Sequence, residues 1–234
     1  MCGRFVSTAN PERIASYFGA EADVETLGEN FNVAPTQDIY GVVTGPDGVL
    51  RVQAFHWGLI PSWAKDRKIG AKMINARSET LAEKPAFKGL FAKKRCLIPM
   101  DGFYEWKAGA ADGPVNGKGK PLKQPMFIHR IDGEPLAVAG LWTAWKDPEA
   151  GSRWLQSATV VTTSANETMQ TVHDRMPVIV PASRWKEWLD PDNHDITALS
   201  ELFTERNDGI LTMHPVATDV NNVRNNDASL IDPA

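Results

Sequence analysis

The chain of 234 residues has only two cysteines, Cys2 and Cys96, and two thiols do not make a disulfide framework. That scarcity fits a reducing cytoplasmic compartment. No run approaches 18 consecutive apolar residues, which argues against a transmembrane helix, and no basic segment leading into an apolar one marks a secretory signal. The five histidines, at 56, 129, 173, 194 and 214, never fall in an HxxxH or HExxH pattern, and no CxxC pair occurs, so a zinc site is unsupported. The phosphate-cradling patterns GxxxxGK[ST] and GxGxxG are missing, as is the GxSxG elbow of many serine hydrolases. No metal and no cofactor is expected.

What is present is the composition of one folded domain. At 42% hydrophobic and 23% charged residues, the chain is neither disordered nor a coiled coil, and its length suits a single sizeable core. The stretches DIYGVV, LRVQAFHWG, RCLIPM, GFYEW, MFIHR, LAVAGLW and WLQSATVVTT are short, rich in β-formers and bounded by Gly, Pro or Asp, the pattern of strands. Asn10 as N-cap, Pro11 at N1 and apolar Ile14, Tyr17 and Phe18 predict a helix. Further short helices are expected near 78–83, 85–92, 181–189 and 195–203. Strands outnumber helices and do not alternate with them, which favours an α+β protein with antiparallel, barrel-like sheets and peripheral short helices. We read 1–234 as a single domain with its core at about 2–230. The Gly-, Lys- and Pro-rich segment 107–125 is expected to be a mobile loop between two strands.

Charge is unevenly placed. Residues 65–95 hold ten Lys or Arg against three Asp or Glu, a balance of +7 in a chain of net charge −4. The remainder therefore carries −11. A basic stretch inside an acidic protein reads either as the footprint of a local anionic partner or as a solvated helical face.

Four places combine polar groups with apolar sequence. Cys2 follows Met1 directly; a position this close to a terminus seldom belongs to a packed core. Removal of Met1 would leave a free α-amine and a thiol on one residue. In MINARSE, Asn75 and Arg77 point the same way if the segment is extended, an amide beside a guanidinium that suits a polar group close to a phosphate. In DGFYEWK, Glu105 lies in apolar company if it shares a face with Phe103. Burial favours the neutral form of a carboxyl group, which general acid–base catalysis exploits. In TVHDRMP, His173 stands in a loop ahead of a strand and could shuttle protons. Each also has a structural reading: a terminal residue, an Asx or Arg pairing, a strand charge, a structural histidine. Cys96, among apolar residues, reads as a small buried hydrophobe.

Taken together, MCGRF at 1–5, FNVAPTQ at 31–37, WGLIPSW at 57–63, INARSET at 74–80, CLIPMDGFYEWK at 96–107, VHDRMP at 172–177 and HPVATDVNN at 214–222 resemble the SOS-response-associated peptidase family of abasic-site-processing proteins. The blocks run in family order over nearly the whole chain. The resemblance implies a sensor of abasic sites in single-stranded DNA, or at single/double-strand junctions, that becomes covalently joined to the lesion. It implies Cys2 as nucleophile with Asn75, Glu105 and His173 as the other active-site residues, and Arg4 and Arg77 as phosphate contacts. Trp63, or another exposed aromatic, could stack on a base beside the gap. Nothing in the sequence suggests an obligate oligomer, so a monomer is expected, in the cytoplasm and nucleoid-associated when bound to damaged DNA. An abasic deoxyribose is partly an open aldehyde, and a 1,2-aminothiol can form an imine and then a thiazolidine. Reference values of about 8 for the α-amine and about 8.5 for the thiol place both groups near neutrality. Weak lyase activity and self-processing are compatible with this chemistry. Two rivals remain at this stage: an N-terminal-nucleophile cysteine peptidase using Cys2 and His173, and a non-catalytic single-strand-binding module in which Cys2 is incidental.

Overall fold

The computed structural model describes residues 2–109, 113–115, 117–147, 151, 153–204 and 209–234. In chain order the elements are β1 (Phe5–Ser7), α1 (Pro11–Phe18), β2 (Glu21–Ala22), β3 (Asn30–Val33), β4 (Asp38–Thr44), β5 (Leu50–Trp57), β6 (Asn75–Arg77), α2 (Pro85–Lys93), β7 (Arg95–Met100), β8 (Gly102–Lys107), β9 (Gln124–Arg130), β10 (Leu136–Lys146), β11 (Trp154–Ser164), α3 (Glu167–Gln170), β12 (Arg175–Pro177), α4 (Trp185–Leu189), α5 (Ile196–Glu201) and β13 (Leu211–Pro215). All seven β-rich stretches are strands. The first helix starts as its sequence dictates: Asn10 accepts from the Arg13 N–H, Pro11 opens the helix, and Gly19 closes it at φ 65°. Such a cap contributes about 1 kcal/mol.

Five strands close a barrel. β11, β10, β7, β4 and β5 pair antiparallel in that order, and a parallel contact between β5 and β11, at His56 opposite Ser157 and Trp57 opposite Ala158, completes the ring. The expectation of antiparallel sheet therefore holds for most pairs and fails at three. β2 joins β5, β5 joins β11 and β6 joins β11 in parallel. A second sheet runs β13-β9-β8-β1-β3.

Alternation along β10 shows how the layers meet. Ala137, Ala139 and Leu141 pack outward beneath the helices with Phe18, Phe91 and Trp188. Leu136 and Val138 point the other way, into the cluster that joins the barrel interior to Phe5, Phe103 and Ile128 of the second sheet. Burying each such side chain contributes roughly 1.5–3 kcal/mol. The second sheet's far face, with Val6, Tyr104 and Phe127, is covered by Val216, Val220 and Leu230 of the C-terminal segment.

The short helices differ from expectation at their ends. The segment expected at 78–83 has only a 3-10 turn at Ser78–Thr80, and the one at 181–189 is a 3-10 turn at Ala182–Arg184 leading into α4. Arg95, counted with the basic stretch, is not a surface cation. It is buried, and its guanidinium donates to the carbonyls of Phe91, Ala92, Trp188, Asp190 and Asn193. It thereby ties the ends of α2 and α4 to β7. Of the loop expected at 107–125, Lys107 ends β8 and Gln124 opens β9, with a bridge between Val115 and Pro121; residues 110–112 and 116 lie outside the described residues.

Candidate active site

Cys2 is completely buried, contrary to the looseness expected of a terminus. The cause is strand pairing just downstream. Phe5 sits opposite both Val33 and Phe103, and the Tyr104 N–H donates to the Arg4 carbonyl at 2.9 Å. These contacts draw the start of the chain into the seam between barrel and second sheet, where Cys2 joins the cluster of Phe5, Trp57 and Phe103.

Three further elements bring polar groups toward that seam. On β6, Asn75 donates from Nδ2 to the Cys2 carbonyl at 2.8 Å. Its Oδ1 is buried and has no hydrogen-bond partner among the described residues, an acceptor left open beside the N-terminal residue. On β8, Glu105 is 4% exposed. It shares Phe103's face, and its carboxylate stands close enough to act electrostatically on the Cys2 thiol. His173 lies in the turn between α3 and β12, half-buried, and its Nδ1 faces both the Asp174 carboxylate at 2.8 Å and the Arg175 N–H at 3.0 Å. A ring nitrogen between a carboxylate and an N–H has a partner whether or not it carries a proton. The flanking Met169 and Met176 belong to the same apolar cluster as Cys2.

Burial pushes the Cys2 thiol far above its ordinary value, the Glu105 carboxylate adds to the rise, and the Arg4 backbone N–H opposes it. The expectation that the thiol titrates near neutrality is therefore corrected: desolvation disfavours the thiolate here.

Two positioning devices escaped the sequence reading. Trp57 stacks edge-on against Phe5, with ring centroids 5.0 Å apart, and its Nε1–H donates to the Ile74 carbonyl at 3.0 Å. One ring thus fixes both the strand that follows Cys2 and the residue before Asn75. The block WGLIPSW held this signal, but only as a motif. The second device is an ion pair. Arg175 donates through both terminal nitrogens to Glu79, at 2.5 and 2.9 Å, and to the Thr162 carbonyl at 2.7 Å. Since β6 and β12 flank opposite edges of β11 at Thr162, the pair ties the Asn75 segment to the His173 segment. Bidentate geometry makes it more than a nominal surface pair.

The expected DNA contacts are less alike. Arg77 is exposed and its guanidinium donates no hydrogen bond among the described residues. Trp63 is 64% exposed, beside a hollow lined by Lys65, Lys68 and Lys72. Arg4 is half-buried; its Nη1 donates to Asn32 Oδ1 at 2.7 Å and to the Val220 carbonyl at 2.8 Å, and its guanidinium lies over Trp106. At least one of its donors is therefore spent on the C-terminal segment. Among the described residues no group of three or more His, Cys, Asp or Glu could hold a metal ion, and no helix is long and apolar enough to cross a membrane. Met1, whose removal the aminothiol chemistry requires, lies outside the described residues.

Comparison with known proteins follows the same outline. A family model described as SOS response associated peptidase (SRAP) matches residues 1–223. The chain is 41% identical over 236 residues to the abasic site processing protein YoqW of Bacillus subtilis (strain 168), covering 99% of each. It is 36% identical over 196 residues to the abasic site processing protein HMCES of Xenopus tropicalis, covering 74% of this chain and 54% of HMCES. A crystal structure of a protein from Bacteroides thetaiotaomicron matches with a TM-score of 0.82 at 25% identity over the full length of both chains.

Proposed function

This chain belongs to the SOS response associated peptidase (SRAP) family, and from that membership and the site geometry we propose that it captures abasic sites in single-stranded DNA through its N-terminal cysteine. The observation that carries this reading is the Asn75 hydrogen bond to Cys2, with the Glu105 carboxylate close by. An amide that holds the backbone of a terminal residue, next to a buried carboxylate, suits chemistry at the α-amine.

The steps balance as follows. With Met1 removed, the Cys2 amine adds to C1′ of the open-chain sugar, forming a C–N bond and a carbinolamine. Loss of one water gives the imine. The Cys2 sulfur then adds to the imine carbon while the thiol proton passes to nitrogen, closing a thiazolidine. Because burial holds the thiol protonated, the amine acts first and the thiol proton leaves only as the ring closes. Glu105 accepts and returns protons in water loss and ring closure. His173 assists at the ring oxygen during opening of the sugar, and Asn75 orients the terminus, its free Oδ1 facing the amine or the carbinolamine hydroxyl. Holding amine, thiol and aldehyde together removes much of the entropic barrier. Arg77, Arg4 through any donor left free, and the exposed lysines of 65–95 contact phosphates, and Trp63 stacks on a base. The imine can also undergo β-elimination, giving weak lyase activity. The protein acts as a monomer on single strands and junctions, in the cytoplasm and on damaged nucleoid DNA.

The peptidase rival is less well served by this site, since a thiol nucleophile for peptide bonds needs a lowered pKa and Cys2 is shifted the other way. Incubation with a single-stranded oligonucleotide containing one abasic site separates the readings. A shift surviving heat and detergent supports capture, a reversible shift supports simple binding, and no shift leaves the peptidase.

A further inference from the structure

Trp63 stands between two hollows. The one lined by Lys65, Lys68 and Lys72 belongs to the basic stretch already assigned to DNA. The other, of about 110 Å³, lies between the turn at 61–63, the first turns of α2, and β10; its walls include Ser62, Ala86, Gly89 and Thr143. We infer that this second pocket seats one backbone phosphate of the bound strand, beside the base stacked on Trp63. The inference rests on the DNA reading above and adds a subsite to it.

Three features of the pocket agree. Thr143 is 8% exposed and lines it, yet its hydroxyl has no hydrogen-bond partner among the described residues. The hydroxyl is not among the buried unpartnered atoms; it reaches the pocket, where it is free to donate to an acceptor. The nine-residue helix α2 starts at Pro85 with no side-chain cap from Lys84, and the Ala86 N–H has no acceptor among the described residues. Ala86 lines the pocket, so one amide donor of the helix start is left unfilled beside it. Gly89 sits inside that helix, where glycine is weaker than alanine, although a Cβ there would meet no heavy atom within 4 Å. Nothing within the described chain calls for glycine; its missing side chain leaves room for a group arriving from outside.

The pocket is held in shape independently of any ligand. The Trp145 Nε1–H donates to the Ala64 carbonyl at 2.7 Å, pinning the turn to β10 two residues from Thr143. None of the residues lining the pocket is charged. Hydroxyl and amide donors without a cation suit the singly charged phosphodiester of a strand better than the doubly charged free phosphate. Lys84, just ahead of α2, and Lys88 on it are exposed and supply longer-range attraction, partly offset by Glu83.

The test uses the full-length protein and an undamaged single-stranded oligonucleotide, read by fluorescence anisotropy. Thr143→Val keeps shape and removes the donor, so affinity falls about tenfold, the scale of one hydrogen bond to a charged group. Gly89→Ala melts at the same or a higher temperature yet also binds more weakly, the opposite of what a purely structural glycine would give. A single neutral methylphosphonate, moved along the strand, costs wild type a similar factor at one position, and at that position Thr143→Val adds nothing. Inorganic phosphate competes no better than chloride at equal ionic strength. Wild-type binding by both variants overturns the subsite. Specific competition by inorganic phosphate with methylphosphonate silent everywhere overturns the strand as its source. Absence of crosslinking to abasic DNA in the wild type itself would sink the aminothiol reading and leave this binding test standing.

Discussion

Cys2 and Cys96 are buried to the same degree, both thiols are pushed up by desolvation, and only Cys2 has polar side chains acting on it. Cys96 lies within β7 opposite Gly140, so close that a Cβ on that glycine would come 2.7 Å from its sulfur. Burial is the one influence on its thiol. Cys2 has a carboxylate acting on its sulfur, a backbone N–H opposing it, and a side-chain amide on its carbonyl. Desolvation therefore does not tell the two cysteines apart. The polar groups that β6 and β8 bring to Cys2 do, together with the Arg4 N–H and, in the reading proposed above, the α-amine that only a terminal residue can offer.

The largest expected effect comes from removing that amine. A form that keeps Met1, or carries one extra residue before Cys2, has an acylated nitrogen and cannot form the imine; its heat-stable adduct should fall below detection, as checked by intact mass and a denaturing gel. A retained Met1 with normal crosslinking would erase the distinction between the two cysteines.

Glu105→Gln makes the Cys2 environment more like that of Cys96. The amide cannot exchange protons, and adduct formation should slow by roughly 10²-fold or more, the usual worth of general acid–base catalysis. Since the carboxylate contributes to raising the Cys2 thiol, its loss should move the pH midpoint of Cys2 alkylation downward. A slower adduct together with an easier thiolate is the signature to look for. Alkylation moving upward, or an unchanged adduct rate from pH 5 to 9, would remove Glu105 from its role.

These residues were not equally legible in the sequence. The seven long strands announced themselves by β-formers between Gly, Pro and Asp. β1, β6 and β12, with three residues each, are too short for alternation to speak, and they carry or flank Cys2, Asn75 and His173. β6 and β12 come together only through β11, which takes one on each edge, a long-range fact that no local pattern encodes. The burial of Cys2 was missed for the same reason, since it follows from pairing with β3 and β8. Arg95 misled in the other direction: a cation in a basic run looks solvated, and only the two helix ends that converge on it show why it is not.

Asn75→Ala removes the hold on the Cys2 carbonyl while costing about 1 kcal/mol of stability. Single-turnover crosslinking should slow by about tenfold at saturating DNA, with binding of undamaged strands unchanged. Equal losses in both would make Asn75 a binding residue instead.

The smallest effect belongs to the other cysteine. Cys96→Ser places a hydroxyl in an apolar site and should lower stability by about 1–3 kcal/mol, seen in thermal melting, while crosslinking at 25 °C stays at the wild-type level.

The most direct measurement is the intact mass of Cys2→Ser after incubation with a single-stranded oligonucleotide carrying one abasic site, denatured without reductant. Met1 removal still exposes an α-amine on serine, but its hydroxyl is a far poorer ring-closing nucleophile. The account predicts an adduct only when borohydride is added to trap the imine. Wild type should give, without borohydride, the mass of the Met1-less protein plus oligonucleotide less one water. A stable adduct on Cys2→Ser without borohydride would contradict the aminothiol mechanism.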